Sequence, residues 1–385
     1  MQTRKLYYLD SHMQEFDACV ISCSPSKHGY DVVLDQTAFY PEGGGQPGDT
    51  GTLGAARVTD THEQRGEIVH YCDAPLSPDE TVHGTIDWAR RFGFMQLHSG
   101  EHLISGIVHR RFGYDNVGFH MGTEMTTIDF SGMLTWDELR AVEREANEAV
   151  WRNFAAEVTW PDAEALKDIP YRSKKELTGD VRIVTFPGVD ICACCGTHVS
   201  STGEIGLIKI FTCQKFHDGV RLEILCGEKA YTYASGLIDQ NHEISTLLSA
   251  RPPQTASAVR KLQDDLAQQK LRAVQLERQL VAVKADALRG AGNVLLIESG
   301  FSADGLRFLA TEAAAASGGR CAAFCQSGQG YSYCIAEENG DLRAFTARMN
   351  AALHGRGGGK PFFVQGSVQA TDTEIRAFFA QEAEA

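Results

Sequence analysis

Apolar and polar positions alternate at short range over roughly the first ninety residues. "FDACVISCS" and "YDVVLD" flank "PSKHG", "AARVTD" and "EIVHYCD" flank "THEQRG", and "TVHGTID" follows. Runs rich in β-branched residues, closely punctuated by turn residues, predict the short strands of a small antiparallel β-barrel. Amid them lies "DQTAFYPEGGGQPGDTG" (35–51), too rich in Gly and Pro for a regular strand. Three consecutive glycines permit positive φ and a close approach of backbone to a ligand.

From about residue 92 the period lengthens. "FGFMQLHSGEHLISGIVHRRFG" fits a helix ended by Gly113, and "VGFHMGTEMTTIDF" reads as two strands. Thr135-x-x-Glu138 is a capping-box signature opening a long amphipathic helix. "VRIVTF", "IGLIKIF" and "GVRLEILC" are strand candidates, and 227–250 reads as helical. The pattern predicts helices over a mostly antiparallel sheet. "ARPPQ" marks a boundary, after which no breaker occurs until Gly290. Leu262, Leu266, Gln269, Ala273, Leu276, Leu280, Val283 and Ala287 alternate spacings of four and three, a heptad seam about 50 Å long. Such a helix either packs on its own domains or pairs with another chain. The last stretch alternates strand-like and helix-like segments and includes the Gly-rich loop "HGRGGGKP" (354–361), which can present backbone N–H groups and positive charge to an anion. The expected fold class is therefore α+β in four parts: a β-barrel (1–90), an α+β domain (91–250), a long helix (251–290) and a C-terminal α/β domain (291–385).

The chain has 385 residues, 43% of them hydrophobic, enough for two or three packed domains. No apolar run reaches the roughly 18–20 residues of a membrane span, and no h-region follows the N-terminal basic residues. Eleven dilute cysteines without a secretion signal predict reduced thiols and a cytoplasmic protein. A formal charge of −14 argues against bulk electrostatic binding of DNA or other nucleic acid. "ARRF" (89–92), "HRRF" (109–112) and "YRSKKEL" (171–177) are positive islands, more often solvated faces than binding patches.

The chemistry concentrates in two motifs. In "LHSGEHLISG" (97–106), His98 and His102 stand four apart and so share a helix face, bordered by Glu101. In "DICACCGTHVSSTGEIG" (190–206), Cys194 and His198 repeat the spacing. Together they offer four N/S ligands of the kind tetrahedral zinc accepts, with Cys192 and Cys195 as alternative thiols.

"HSGEH" and "CCGTHVSSTGEIG", preceded by "TAFYPEGGGQPGDTG", resemble the editing domain of alanyl-tRNA synthetase and, still more, its free-standing AlaX relatives. The resemblance covers residues 1 to about 250, and "GRGGGKPFFVQGSV" is similar to the synthetase's C-terminal domain, which implies the long AlaX form. It implies that His98, His102, Cys194 and His198 bind Zn²⁺, and that Thr37 and Gln46 line an aminoacyl pocket. It implies a cytoplasmic trans-editing hydrolase that deacylates mischarged tRNA(Ala), foremost Ser-tRNA(Ala) and also Gly-tRNA(Ala), with Glu101 available as a base. The chain departs from the family's Cys-Gly-Gly-Thr-His in having Cys195 at the second position. A homodimer through the long helix or the C-terminal domain is an assembly the pattern allows.

Two rivals stand beside this reading. His98-Ser-Gly-Glu101-His102 satisfies the H-x-x-E-H pattern of a zinc metallopeptidase. A closed four-ligand zinc site would also suit a non-catalytic RNA-binding protein.

Overall fold

Hydrogen-bonded strands build the N-terminal part of the computed structural model, which describes residues 3–122, 124–173 and 180–384. The strands are β1 (Arg4–Lys5), β2 (Glu15–Ser26), β3 (Gly29–Leu34), β4 (Gln36–Thr37), β5 (Gly51–Leu53), β6 (Ala56–Gln64), β7 (Glu67–Cys72) and β8 (Thr81–Ile86). Six of them join in a closed barrel, β2-β3-β7-β6-β5-β8, every pair antiparallel. The alternating apolar residues Phe16, Ala18, Val20, Val32, Leu34, Val58 and Val82 form its core. β1 pairs in parallel with β4, Lys5 opposite Thr37.

Helix α1 (Trp88–Phe112) follows at once, capped by the Asp87 carboxylate accepting from the Arg90 N–H and ended by Gly113 at φ 72°. Beyond it come β9 (Asn116–Met121), β10 (Thr126–Phe130), α2 (Trp136–Arg152), β11 (Glu157–Thr159), β12 (Ile183–Phe186), β13 (Asp190–Ala193), β14 (Ile208–Phe216), β15 (Gly219–Cys226) and α3 (Gly227–Leu247). The capping box of Thr135 and Glu138 opens α2. A four-stranded sheet, β14-β15-β10-β9, and a three-stranded one, β11-β12-β13, complete this part. Leu97, Leu103, Ile104 and Ile107 of α1 join Leu139 and Val142 of α2 and Leu222 and Ile224 of β15 in one core.

The chain divides into two compact units, Met1–Asn241 and His242–Ala385. The second holds α4 (Thr255–Ala287), β16 (Gly292–Glu298), α5 (Ala303–Ser317), β17 (Gly318–Ser327), β18 (Gly330–Ala336), α6 (Leu342–Ala352), β19 (Arg356–Lys360), β20 (Phe363–Val368) and α7 (Asp372–Glu384). Its sheet runs β16-β17-β18-β20-β19. Cys321, Ala323 and Cys325 face α4 and α5, while Ala322 and Phe324 face α6 and α7, the period-two alternation of a sheet covered on both sides. One sequence expectation changes here. The Gly-rich stretch read as a loop contains the edge strand β19, paired with β20 and exposed along its whole length. All eight seam residues of α4 are exposed, and its buried side chains are instead Val281 and Ala285.

Candidate metal centre

Helix α1 passes through the core of the first unit and presents His98 and His102 on successive turns. The second pair stands on the irregular segment after β13. Gly196 there lies so close to the His98 ring that a Cβ would collide with it, which explains why the bend between Cys194 and His198 needs glycine. One donor atom from each of His98, His102, Cys194 and His198 lies within 4.8 Å of the others. Cys194 Sγ is 3.3 Å from His98 Nε2 and 3.4 Å from His198 Nε2. With metal–nitrogen bonds of about 2.0–2.1 Å and metal–sulfur bonds of about 2.3 Å, the edges of a tetrahedron are of this order.

The outer ring nitrogens are fixed. His102 Nδ1–H donates to Asp190 Oδ2 at 2.8 Å, and Arg172 grips Asp190 with two bonds of 2.7 and 2.8 Å. His98 Nδ1–H donates to Gln46 Oε1 at 3.1 Å, and the same amide donates to Thr197 Oγ1 at 2.8 Å. These bonds leave Nε2 of both rings facing the donor group, the usual outer support of a metal-ligating imidazole. His198 Nδ1 has no hydrogen-bond partner. Arg182 donates to the carbonyls of Cys194 and Gly196 and so holds the bend.

Burial and mutual contact shift the donors in different directions. Burial opposes the Cys194 thiolate, but the surrounding imidazoles His98 and His198 and hydrogen bonds from His102 and His198 hold the thiol well below its usual range. Burial likewise disfavours the His102 cation, yet its bonds to Asp190 and Cys194 push it up to about 10. Burial brings His198 down to about 3. The Cys194 thiolate and the neutral His198 are in the donor state metal binding requires, whereas His102 must release its Nε2 proton as a metal binds. Cys192, by contrast, is buried and its thiol is pushed up, and Cys195 is exposed.

The Gly-rich segment reaches the centre through Gln46. Gly44 and Gly45 take φ of 61° and 84°, and Gly43 and Gln46 exchange backbone hydrogen bonds of 3.0 Å, a tight reversal that aims Gln46 inward. Thr37, fully buried, lies 2.8 Å from His70 Nε2 through its hydroxyl, which also accepts from the Phe39 N–H. Burial lowers His70 to about 4 and keeps it neutral; its Nδ1–H donates to the Val32 carbonyl, so Nε2 accepts from Thr37. Glu101, almost wholly buried, accepts from Ser105 at 2.7 Å and from Asn116, and its other oxygen lies 4.0 Å from His102 Nε2.

Several supporting residues escaped the sequence reading. In the "ARRF" island Arg91 is fully buried, pairs with Asp49, and donates to the carbonyls of Ala38 and Ser11. In "HRRF", Arg110 and Arg111 pair with Glu145. In "YRSKKEL", Arg172 supports Asp190, whereas residues 174–177 lie outside the described residues. A carboxylate near the ligands was foreseeable from coordination chemistry, but nothing in the spacing singles out Asp190.

Three buried imidazoles and one thiol thus form a candidate metal-binding group, and the sequence around it matches domains of tRNA synthetases. Residues 181–222 match the threonyl and alanyl tRNA synthetase second additional domain, and residues 11–90 match class II (A) tRNA synthetases. Alanyl-tRNA editing protein Aarsd1 of Mus musculus is 30% identical over 73% of this chain and 73% of its own length. AlaX-L of Pyrococcus horikoshii is 32% identical over 65% of this chain and 64% of its own. Alanine–tRNA ligase of Ignicoccus hospitalis is 35% identical over 77% of this chain, which spans only 34% of that protein. The chain belongs to the alanyl-tRNA editing protein family that includes AlaX-L and Aarsd1. Among the described residues, no helix is long and apolar enough to cross a membrane.

Proposed function

We propose that this chain is a cytoplasmic, zinc-dependent hydrolase that deacylates mischarged tRNA(Ala), foremost Ser-tRNA(Ala) and also Gly-tRNA(Ala). The observation that carries the reading is the four-donor group His98, His102, Cys194 and His198 in a chain of the editing family. Bound there, Zn²⁺ would polarise the ester carbonyl, generate hydroxide, or orient ester and water. Gln46 and Asp190 keep His98 and His102 in the tautomer whose Nε2 faces the centre. Glu101 borders His102 and is the nearest candidate base, held by Ser105 and Asn116. Thr37, with its proton committed to His70, keeps an oxygen lone pair for the hydroxyl of a seryl group, which supports selection of Ser over Ala.

The metallopeptidase reading finds less support, because Cys194 and His198 occupy the positions that a downstream Glu would take. The exposed leucines of α4 support a homodimer through that helix. The deciding experiment compares hydrolysis of Ser-, Gly- and Ala-tRNA(Ala) with and without a chelator. Chelator-sensitive cleavage of the first two, sparing Ala-tRNA(Ala), is expected. Zinc-loaded protein that cleaves none of them is a binding protein instead.

A further inference from the structure

A cleft of about 1000 Å³ opens beside the metal centre, and none of the four donor residues lines it. Its volume is at the upper end of what a single small molecule occupies, about 300–1,000 Å³. It adjoins the centre through the Gly-rich segment. Pro47 follows Gln46, whose amide bonds His98, and Met121 donates its N–H to the Gly45 carbonyl at 3.2 Å. From Gln96 the cleft extends along α1 to Trp88, about 15 Å from His98 at the helical rise.

The lining combines rings with cations. Trp88 and Phe92 lie 5.4 Å apart at 31°, and neither is fully buried. The Arg90 guanidinium sits 4.6 Å over the Phe94 ring, steadied by a bond to the Gly48 carbonyl, while Lys229 lies 6.0 Å from the same ring. Two cations thus share one aromatic platform. Burial and the Arg90 charge both lower the Lys229 pKa, so a nearby anion would favour its charged form. Glu124 and Glu228 also line the cleft, where a carboxylate repels phosphate but accepts from the exocyclic amine of a base. Rings for stacking and cations for phosphate are what single-stranded nucleic acid requires. In a chain of formal charge −14, paired cations beside the reactive centre are a local exception.

We propose that this cleft binds the unpaired nucleotides leading to the esterified terminal adenosine of tRNA, with bases on Trp88 and Phe92 and phosphates at Arg90 and Lys229. The proposal rests on the deacylase reading for the identity of the strand.

The test uses the full chain and a single-stranded RNA pentamer ending in CCA, its binding followed by fluorescence anisotropy. Trp88→Leu and Lys229→Gln are each expected to weaken the pentamer about tenfold, the scale of one lost base–aromatic contact. On mischarged tRNA both should raise KM more than they do for an aminoacyl-adenosine ester. Unchanged pentamer affinity in both variants overturns the proposal, as does an equal loss on tRNA and the minimal ester. Should the wild-type chain cleave no aminoacyl-tRNA, the deacylase reading fails, and pentamer binding alone decides the cleft. Lys229, exposed at the surface, keeps the test valid if Trp88→Leu does not fold.

Discussion

Helices α1 and α4 are the two longest in the molecule's described residues, and they invert the usual relation between composition and burial. α1 carries Arg91, Gln96, His98, Ser99, Glu101, His102 and Ser105 in its buried set, whereas α4 has a leucine seam and buries only Val281 and Ala285. Apolar periodicity reports which face is suited to contact; partners decide what is buried. The polar groups of α1 can be internal because most meet a specific acceptor or donor elsewhere, and buried polar groups are tolerated on that condition. The leucines of α4 are exposed among the described residues, which is why a homodimer through that helix is proposed.

The contrast is sharpest at the ligands. Cys194→Ala should reduce bound zinc from about one ion per chain to near zero and abolish deacylation, since the only thiolate of the donor group is lost. Metal analysis of the purified variant decides this, with Cys192→Ala and Cys195→Ala expected to retain the ion. Next comes the ion pair that fixes α1 to the Gly-rich segment. Asp49→Ala leaves Arg91 buried without its carboxylate and should cost about 3–5 kcal/mol of stability by denaturant unfolding. A loss under 1 kcal/mol would mean that solvent reaches Arg91.

Smaller effects follow from orientation. Asp190→Asn should weaken zinc binding about 10–100-fold while circular dichroism stays unchanged, because His102 loses the carboxylate that orients its ring. Thr37→Val should lower activity on Ser-tRNA(Ala) about tenfold and leave any residual Ala-tRNA(Ala) cleavage unchanged or higher. An unaltered ratio of the two activities removes Thr37 from selection. The smallest change belongs to α4. Leu266→Lys and Leu276→Lys together should leave monomer stability within about 0.5 kcal/mol per site. Sedimentation should show the dimer dissociating; a wild-type chain already monomeric would refute the dimer.

Local signals carried much of this architecture. Gly113 ended α1 and Thr135 with Glu138 opened α2 where their chemistry placed them. The donor pairs were legible because a four-residue spacing has a fixed spatial meaning on a helix, and Gly196, between Cys194 and His198, permits a bend. What stayed hidden depends on tertiary distance. Asp190 lies 88 residues from His102, and Gln46 lies 52 from His98. Arg91 looked like a surface charge because its neutralising carboxylate is 42 residues away. Strand β19 read as a loop because its pairing with β20, not its own glycines, makes it a strand.

The reach of Gln46 to His98 and of Asp49 to Arg91 also bears on inheritance. A gene fragment beginning at α1 would encode both halves of the donor group, yet its product would lack the amide that orients one ligand and the anion that neutralises a buried guanidinium. A barrel joined to this α1 from elsewhere would need Gln and Asp at these two loop positions to keep both contacts.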